Sequence, residues 1–325
     1  MIAAYSWARW ASVTSLACVL GLATLSASAS EGVRGWFGLD AASGQSCADW
    51  SRKVERLERR AERRSTLPPA TMANVAYGPT PREVLDVYRP TRLSAAPMVV
   101  VMVHGGGWCV GDKRMDAVVR HKQTHWVGQG HVFVSINYPM VGQGHDALAQ
   151  AGFVAKAVAW VQQQAPGWGV ASTRVVLVGH SAGGHLVSLV NASGPLKAVH
   201  GMKPVLGVVS LDAGAIDVVR QMPQVYRFLK ARYAEAFGTS EAQWVAASPF
   251  HQLDATASPW LGVCSTQRRD DPCGQARAYV SKSQTLGVSA TMLPLDLAHD
   301  EINERLGQPG DYTRAVDAFI AAAMR

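Results

Sequence analysis

The segment Gly179-His180-Ser181-Ala182-Gly183 is preceded by the apolar run Val175-Val176-Leu177-Val178 and followed by Gly184-His185-Leu186-Val187-Ser188-Leu189-Val190. A short, unbroken apolar run reads as a strand buried on both faces, and the residues behind it read as a helix, so the chain must reverse sharply with a serine at the apex. Glycines two positions before and two after Ser181 leave no side chain to collide with that turn. The residue between them is then held in a strained conformation that lifts its hydroxyl above the sheet. A second glycine-rich turn, His104-Gly105-Gly106-Gly107-Trp108, closes another apolar run, Val99 to Val103.

The remaining pattern agrees with a sheet-and-helix domain. Asn74 to Gly78 and Val84 to Tyr88 read as edge strands joined by a proline-rich turn, and Val132 to Ile136 as a buried strand. Ala147 to Gln164 has helical periodicity and stops at Pro166-Gly167. Strands follow at Val175 to Val178, Val205 to Leu211, Trp260 to Cys264 and Ser289 to Leu295, with helices expected from Gly183, Gln275 and Tyr312. This alternation predicts an α/β fold with a mostly parallel central sheet and helices on both faces. Ligands of such sheets sit beyond the carboxyl ends of the strands. His104, Ser181, the Asp270 region and His299 all fall there. Met202 to Phe250 is less regular, and its interleaved aromatics read mainly as helix packing.

Of the 325 residues, the first 29 read as a cleaved signal peptide. Arg9 precedes an apolar stretch from Ala11 to Leu25, and Ala27-Ser28-Ala29 has the small residues of a cleavage site. The stretch, about 15 residues, falls short of the ~20 needed to span a bilayer, so export without stable membrane insertion is expected. Residues 30–70 read as a charged helical segment in which Arg52, Lys53, Arg56, Arg59, Arg60, Arg63 and Arg64 alternate with Glu55, Glu58 and Glu62. Such spacing pairs opposite charges at i,i+3 and i,i+4, so the net charge of +7 does not by itself imply a polyanion partner. No nucleic-acid module is present in the pattern, and residues 71–325 are read as the catalytic domain. Past the signal, Cys47, Cys109, Cys264 and Cys273 are an even set in an oxidising compartment. One pairing joins Cys264 to Cys273 around a short loop and leaves Cys47 to tie the N-terminal segment to Cys109. No zinc spacing occurs, so no metal site is expected.

Two glycine-rich turns at strand ends, one of them centred on serine, point to nucleophilic catalysis. A serine hydroxyl needs a base and a third group that orients the base. In strand–serine–helix hydrolases the order along the chain is Ser, acid, His. His299 follows the last strand, where the base belongs, and the other histidines fall in the wrong elements or inside the two motifs. Asp270 and Asp271 both follow the strand Trp260 to Cys264; Asp270 is the favoured acid, Asp271 the alternative, and the one not used is expected to cap the next helix. Backbone N–H groups of Gly106, Gly107 and Ala182 are the expected oxyanion donors, with His104, Gly105 and Trp108 supporting their loop.

From Val75 onward the chain resembles α/β-hydrolase serine esterases of the hormone-sensitive-lipase-like and arylformamidase-like branch. The resemblance is carried by His104 to Trp108, Gly179 to Gly183, Ser248-Pro249 and His299-Asp300-Glu301-Ile302-Asn303. Asn137-Tyr138-Pro139 departs from the Tyr-Arg-Leu of many relatives, and the acid loop is shortened and bracketed by cysteines. The resemblance implies a carboxylesterase that acts on small-molecule esters through an acyl-enzyme and needs no cofactor. Arylformamidase and lipase are the alternatives within the enzyme class, and a silent binding protein on the same fold is the alternative outside it. Peptide mapping of the exported protein without reductant should recover Cys264 linked to Cys273 and Cys47 linked to Cys109; four alkylatable thiols would refute the pairing.

Overall fold

The computed structural model describes residues 46–52 and 67–324. The expected signal peptide lies outside these residues, as do residues 30–45 and 53–66 of the expected charged segment. Residues 47–52 are helical. Among the described residues no helix is long and apolar enough to cross a membrane.

Eight strands form one sheet in the order β1-β2-β4-β3-β5-β6-β7-β8. They are β1 (Met72–Ala76), β2 (Val84–Tyr88), β3 (Val99–Val103), β4 (Val132–Ile136), β5 (Val175–His180), β6 (Gly207–Leu211), β7 (Trp260–Ser265) and β8 (Ala290–Leu295). The β1–β2 and β2–β4 pairs are antiparallel and the pairs from β4 through β3 to β8 are parallel. Expected strands are all present, with ends displaced by a residue or two where turn chemistry competes with the apolar pattern.

The unbroken apolar runs are explained by burial on both faces. In β3, Val99, Val101 and Val103 enter one core while Val100 and Met102 enter the other. Val175 and Leu177 of β5 likewise oppose Val176 and Val178. Side chains alternate along a strand, so each face needs its own helical cover. On the first face the cover includes α2 (Ala147–Gln164), α3 (Ala182–Ala192), α4 (Lys230–Phe237) and α5 (Pro272–Thr285). The second face is covered by α1 (Asp116–Gly128), α6 (His299–Arg305) and α7 (Asp311–Ala323). Every residue of α3 is buried, because this helix runs directly beneath the sheet's central strands.

Backbone crowding at the β5–α3 turn accounts for its glycines. A Cβ on Gly179 would lie 2.2 Å from the Gly183 carbonyl oxygen, and one on Gly183 would lie 2.2 Å from that of Val103. Both obstacles are main chain and cannot swing away. Gly183→Ala should therefore destabilise the fold by about 1–3 kcal/mol, read as a lowered urea midpoint. Gly128→Ala meets nothing within 4 Å and should be neutral or slightly stabilising; equal losses at the two positions would contradict the packing argument.

Candidate active site

Ser181 sits at the turn after β5 with φ 55° and ψ −118°, a region that L-residues seldom occupy. The turn is held by main-chain bonds: Ser181 N–H donates to Leu211 O (2.9 Å), and the Ser181 carbonyl accepts from Gly214 N (2.9 Å) and His185 N (3.0 Å). His299 opens α6 just past β8, and its Nε2 lies 2.9 Å from Ser181 Oγ. The other ring nitrogen, Nδ1, lies 2.5 Å from Asp212 Oδ2. A proton on Nδ1 donates to the carboxylate, which leaves Nε2 to accept from the serine hydroxyl. This hydroxyl–imidazole–carboxylate chain can take a proton off the serine as its oxygen attacks an electrophile.

The carboxylate on His299 is thus that of Asp212, and neither Asp270 nor Asp271 occupies that place. Asp212 directly follows β6, fully buried and with φ 43°. Its Oδ1 accepts from Ser265 N (2.9 Å). Burial opposes its ionisation, but the hydrogen bond with His299 and the charge of Arg268 outweigh this and hold the carboxyl far below the usual carboxylate range. Asp270 is turned instead onto Arg268, with Oδ1 3.0 Å from Nε and Oδ2 2.5 Å from Nη2, and it also accepts from Gln221 Nε2 at 3.1 Å. Asp271 has φ 52° and caps α5 by accepting from Gly274 N (2.9 Å), while its other oxygen pairs with Arg220. The capping expected of the unused aspartate falls to Asp271. Arg268 reaches inward from the loop after β7 and holds the Asp270 carboxylate in a two-point contact, away from the imidazole. A signal for Asp212 was present in the sequence. It is the aspartate at the carboxyl end of the run Val205 to Leu211, and it satisfies the same Ser, acid, His order.

Both expected disulfides are formed, Cys47–Cys109 with Cα atoms 5.0 Å apart and Cys264–Cys273 with Cα atoms 5.2 Å apart. The second closes the loop carrying Arg268 and Asp270. It does not carry the carboxylate that meets His299.

The glycine turn after β3 lies directly on the nucleophile, since a Cβ on Gly105 would be 3.0 Å from Ser181 Cβ. Gly106 and Gly107 have φ of 115° and 58°, and a Cβ on Gly106 would strike the Val110 carbonyl oxygen at 2.0 Å. Cys109 N and Val110 N both donate to Gly106 O (3.1 Å) and close the turn. Ala182 is the first residue of α3, beside Ser181. His104 stacks on Tyr138 with ring centroids 4.6 Å apart, and its Nδ1–H donates to Gly105 O (2.7 Å). Tyr138 of the departing Asn-Tyr-Pro segment donates its hydroxyl to His104 O (2.9 Å). Trp108 is buried with φ 62°; its Nε1–H donates to His185 Nδ1 (3.1 Å), and its ring meets Tyr233 and Phe237 of α4 edge-on at 5.0 and 4.7 Å. Trp50, from the helical residues 47–52, covers the outer side of Gly107, and Ser51 Oγ donates to Cys109 O (2.9 Å).

His180 and Lys122 brace the histidine element. His180 Nε2–H donates to the His299 carbonyl (2.8 Å), and burial keeps its ring neutral by holding its pKa well below the usual histidine value. Lys122 Nζ donates to Asn303 O (2.5 Å) near the end of α6. Among the described residues no group of three or more His, Cys, Asp or Glu could hold a metal ion.

With this geometry in view, the BD-FAE family model matches residues 85–262, more than half of the chain. The chain belongs to the BD-FAE family. Esterase LipQ of Mycobacterium tuberculosis is 28% identical over 236 residues, covering 68% of this chain and 54% of LipQ. Kynurenine formamidase of Salmo salar is 31% identical over 120 residues, 37% of this chain and 38% of that protein. The chain spans about half the length of the esterases LipQ and LipC that it matches. Among solved structures, a truncated carbohydrate esterase from gut microbiota superposes with a TM-score of 0.66 at 18% identity, over 80% of this chain and all of that one. Esterase B from Lactobacillus rhamnosis gives 0.64 at 19%, over 84% and 93%. These likenesses establish that the BD-FAE chain has the α/β-hydrolase fold.

The buried histidines set an acid limit on stability. Burial, reinforced at His104 by Arg82 and partly offset at His185 by the bond to Ala247 O, lowers both rings to about 4. An unfolded histidine protonates near 6.5. Below that pH the unfolded chain gains protons that the fold refuses until about pH 4, so the stabilisation present above pH 6.5 is lost as pH falls. The loss is about 1.4 kcal/mol per pH unit for each ring. Urea midpoints should fall steeply from pH 6.5 to 4.5, and His185→Gln, whatever its cost at pH 7.5, should flatten that slope; an unchanged slope would refute the assignment.

Proposed function

We propose that the protein is a serine carboxylesterase. Ser181 is the nucleophile, His299 the general base and then acid, and Asp212 the residue that orients His299 and stabilises its imidazolium. The observation that carries this reading is the Ser181–His299–Asp212 chain, with contacts of 2.9 and 2.5 Å. Ser181 Oγ attacks the ester carbonyl carbon as its proton passes to His299 Nε2. Negative charge that develops on the carbonyl oxygen is taken by the N–H groups of Gly106, Gly107 and Ala182. Collapse expels the alcohol, which leaves with the proton from His299. A water molecule, deprotonated by the same nitrogen, then hydrolyses the acyl-enzyme.

Family membership and the esterase names among the relatives support ester cleavage. The partial likeness to kynurenine formamidase makes cleavage of an activated formamide the alternative reading, since the same acyl-enzyme route would perform it. The two disulfides support an exported protein. Residues 71–325 are the catalytic unit in this reading.

The test is hydrolysis of p-nitrophenyl esters from acetate to palmitate, with N-formylkynurenine alongside and Ser181→Ala as the blank. Rapid acetate and butyrate turnover with a silent formamide is expected, together with fluorophosphonate labelling that Ser181→Ala abolishes. Asp212→Asn should lower kcat by about 10⁴, because the wrong tautomer of His299 results, and Asp270→Asn by less than about tenfold. A folded protein that neither turns over esters nor takes the label refutes the esterase, and a reversed ranking of the two aspartates refutes the acid assignment.

A further inference from the structure

Arg268 occupies a position that is unfavourable on first inspection. Its Nη1 lies 3.0 Å from Asp212 Oδ2, on the same oxygen that meets His299, and 3.4 Å from His299 Nδ1. The same nitrogen also donates to the carbonyls of Asp212 and Ala213 (both 3.2 Å). A cation there cancels the negative charge that an imidazolium needs beside it. Asp270 reverses the effect. It holds the other two guanidinium nitrogens in a two-point contact, so the set of Asp212, Arg268 and Asp270 carries a net charge of −1, as a lone carboxylate would.

Resting on the reading of Ser181, His299 and Asp212 as the reacting chain, we infer that Arg268 and Asp270 form a charge-balanced positioning pair. Arg268 fixes the Asp212 carboxylate on His299, and Asp270 neutralises Arg268, so that the charge beside the imidazole stays that of a single carboxylate. The Cys264–Cys273 disulfide closes the loop that presents the pair. Burial alone would lower the ionisation of Arg268, yet Asp212 and Asp270 keep its guanidinium charged above the ordinary range. Other groups near His299 are accounted for from each element. His180, after β5, is neutral with its ring 4.6 Å away. Asp300 and Glu301 lie on α6 itself, and Glu301 is engaged with Ala298 N. Lys122 of α1 and Tyr312 of α7 bond to the carbonyls of Asn303 and Ile302. Tyr233 of α4 donates to Gly214 O. None of these is a second charge partner for Arg268 in the way that Asp270 is.

The opposite signs of the two partners provide the test. kcat/KM for p-nitrophenyl butyrate is measured against pH for wild type, Asp270→Asn, Arg268→Gln, Arg268→Lys and the double variant Arg268→Gln/Asp270→Asn. Asp270→Asn should move the acid limb down by about one pH unit and Arg268→Gln should move it up by about one. Arg268→Lys keeps the charge and should stay near wild type, and the double variant should return to within about 0.3 unit of it. NMR titration of the His299 ring gives the same reading without turnover and in any variant too slow to assay. Singles that shift in the same direction, or an active wild type whose limb neither variant moves, overturn the inference. A wild type inactive on every ester overturns the esterase reading instead, and the NMR titration then decides the pair separately.

Discussion

The main chain after β5 passes so close to the end of β3 that no side chain fits between them, and the active-site arrangement follows from that approach. Gly183 lies over the Val103 carbonyl, and Gly179 lies under Gly183 itself. With both side chains absent, Ser181 can take its left-handed backbone and stand above the sheet. Because β3 and β5 are hydrogen-bonded neighbours, the same approach brings the His104-to-Trp108 turn onto the nucleophile. Backbone strain then clusters at the site. Trp108, Ser181 and Asp212 are three of the five non-glycine residues with positive φ among the described residues. Strain of this kind costs about 1–3 kcal/mol per residue and persists only where surrounding packing enforces it. The two covered faces of the sheet supply that packing.

Electrostatics form the second layer. Four ionisable groups, Asp212, Arg268, Asp270 and His299, meet beyond the ends of β6, β7 and β8 with little solvent around them. Buried charges are tolerated only when each has a partner and its remaining hydrogen-bonding capacity is met. Here Ser265 N–H, the Asp212 and Ala213 carbonyls and Gln221 complete the set. His104, His180 and His185 lie in the surrounding shell and hold loops through single donated hydrogen bonds. Burial keeps them uncharged, so they add no competing positive charge near His299.

Covalent links bring remote chain to this centre. Cys47–Cys109 joins residues 62 apart in sequence and fastens the helical residues 47–52 to the glycine turn. Closing a loop of that size removes conformational freedom from the unfolded chain worth about 4 kcal/mol in the chain-entropy account. Cys47 N also donates to the Glu235 carboxylate of α4, and the Arg232 guanidinium stacks 4.0 Å over Trp50. The helical residues 47–52 are therefore part of the wall around the glycine turn, although they lie outside residues 85–262 that define the family match.

The sequence by itself determined the sheet, the serine turn, the glycine turn and the histidine after β8. Each of these is written in local chemistry: apolar runs long enough for two buried faces, glycines where a Cβ would strike main chain, and a fixed order along the strands. Tertiary structure alone decided which carboxylate meets the histidine. Asp212, Asp270 and Asp271 all follow strands whose ends point to the same edge, so spacing does not separate them. What separates them is the path of one long side chain. Arg268 folds inward and engages Asp270, Asp271 caps a helix, and the short approach to His299 is left to Asp212. A competition among charges for partners is settled by three-dimensional distance, which strand order and residue type do not encode.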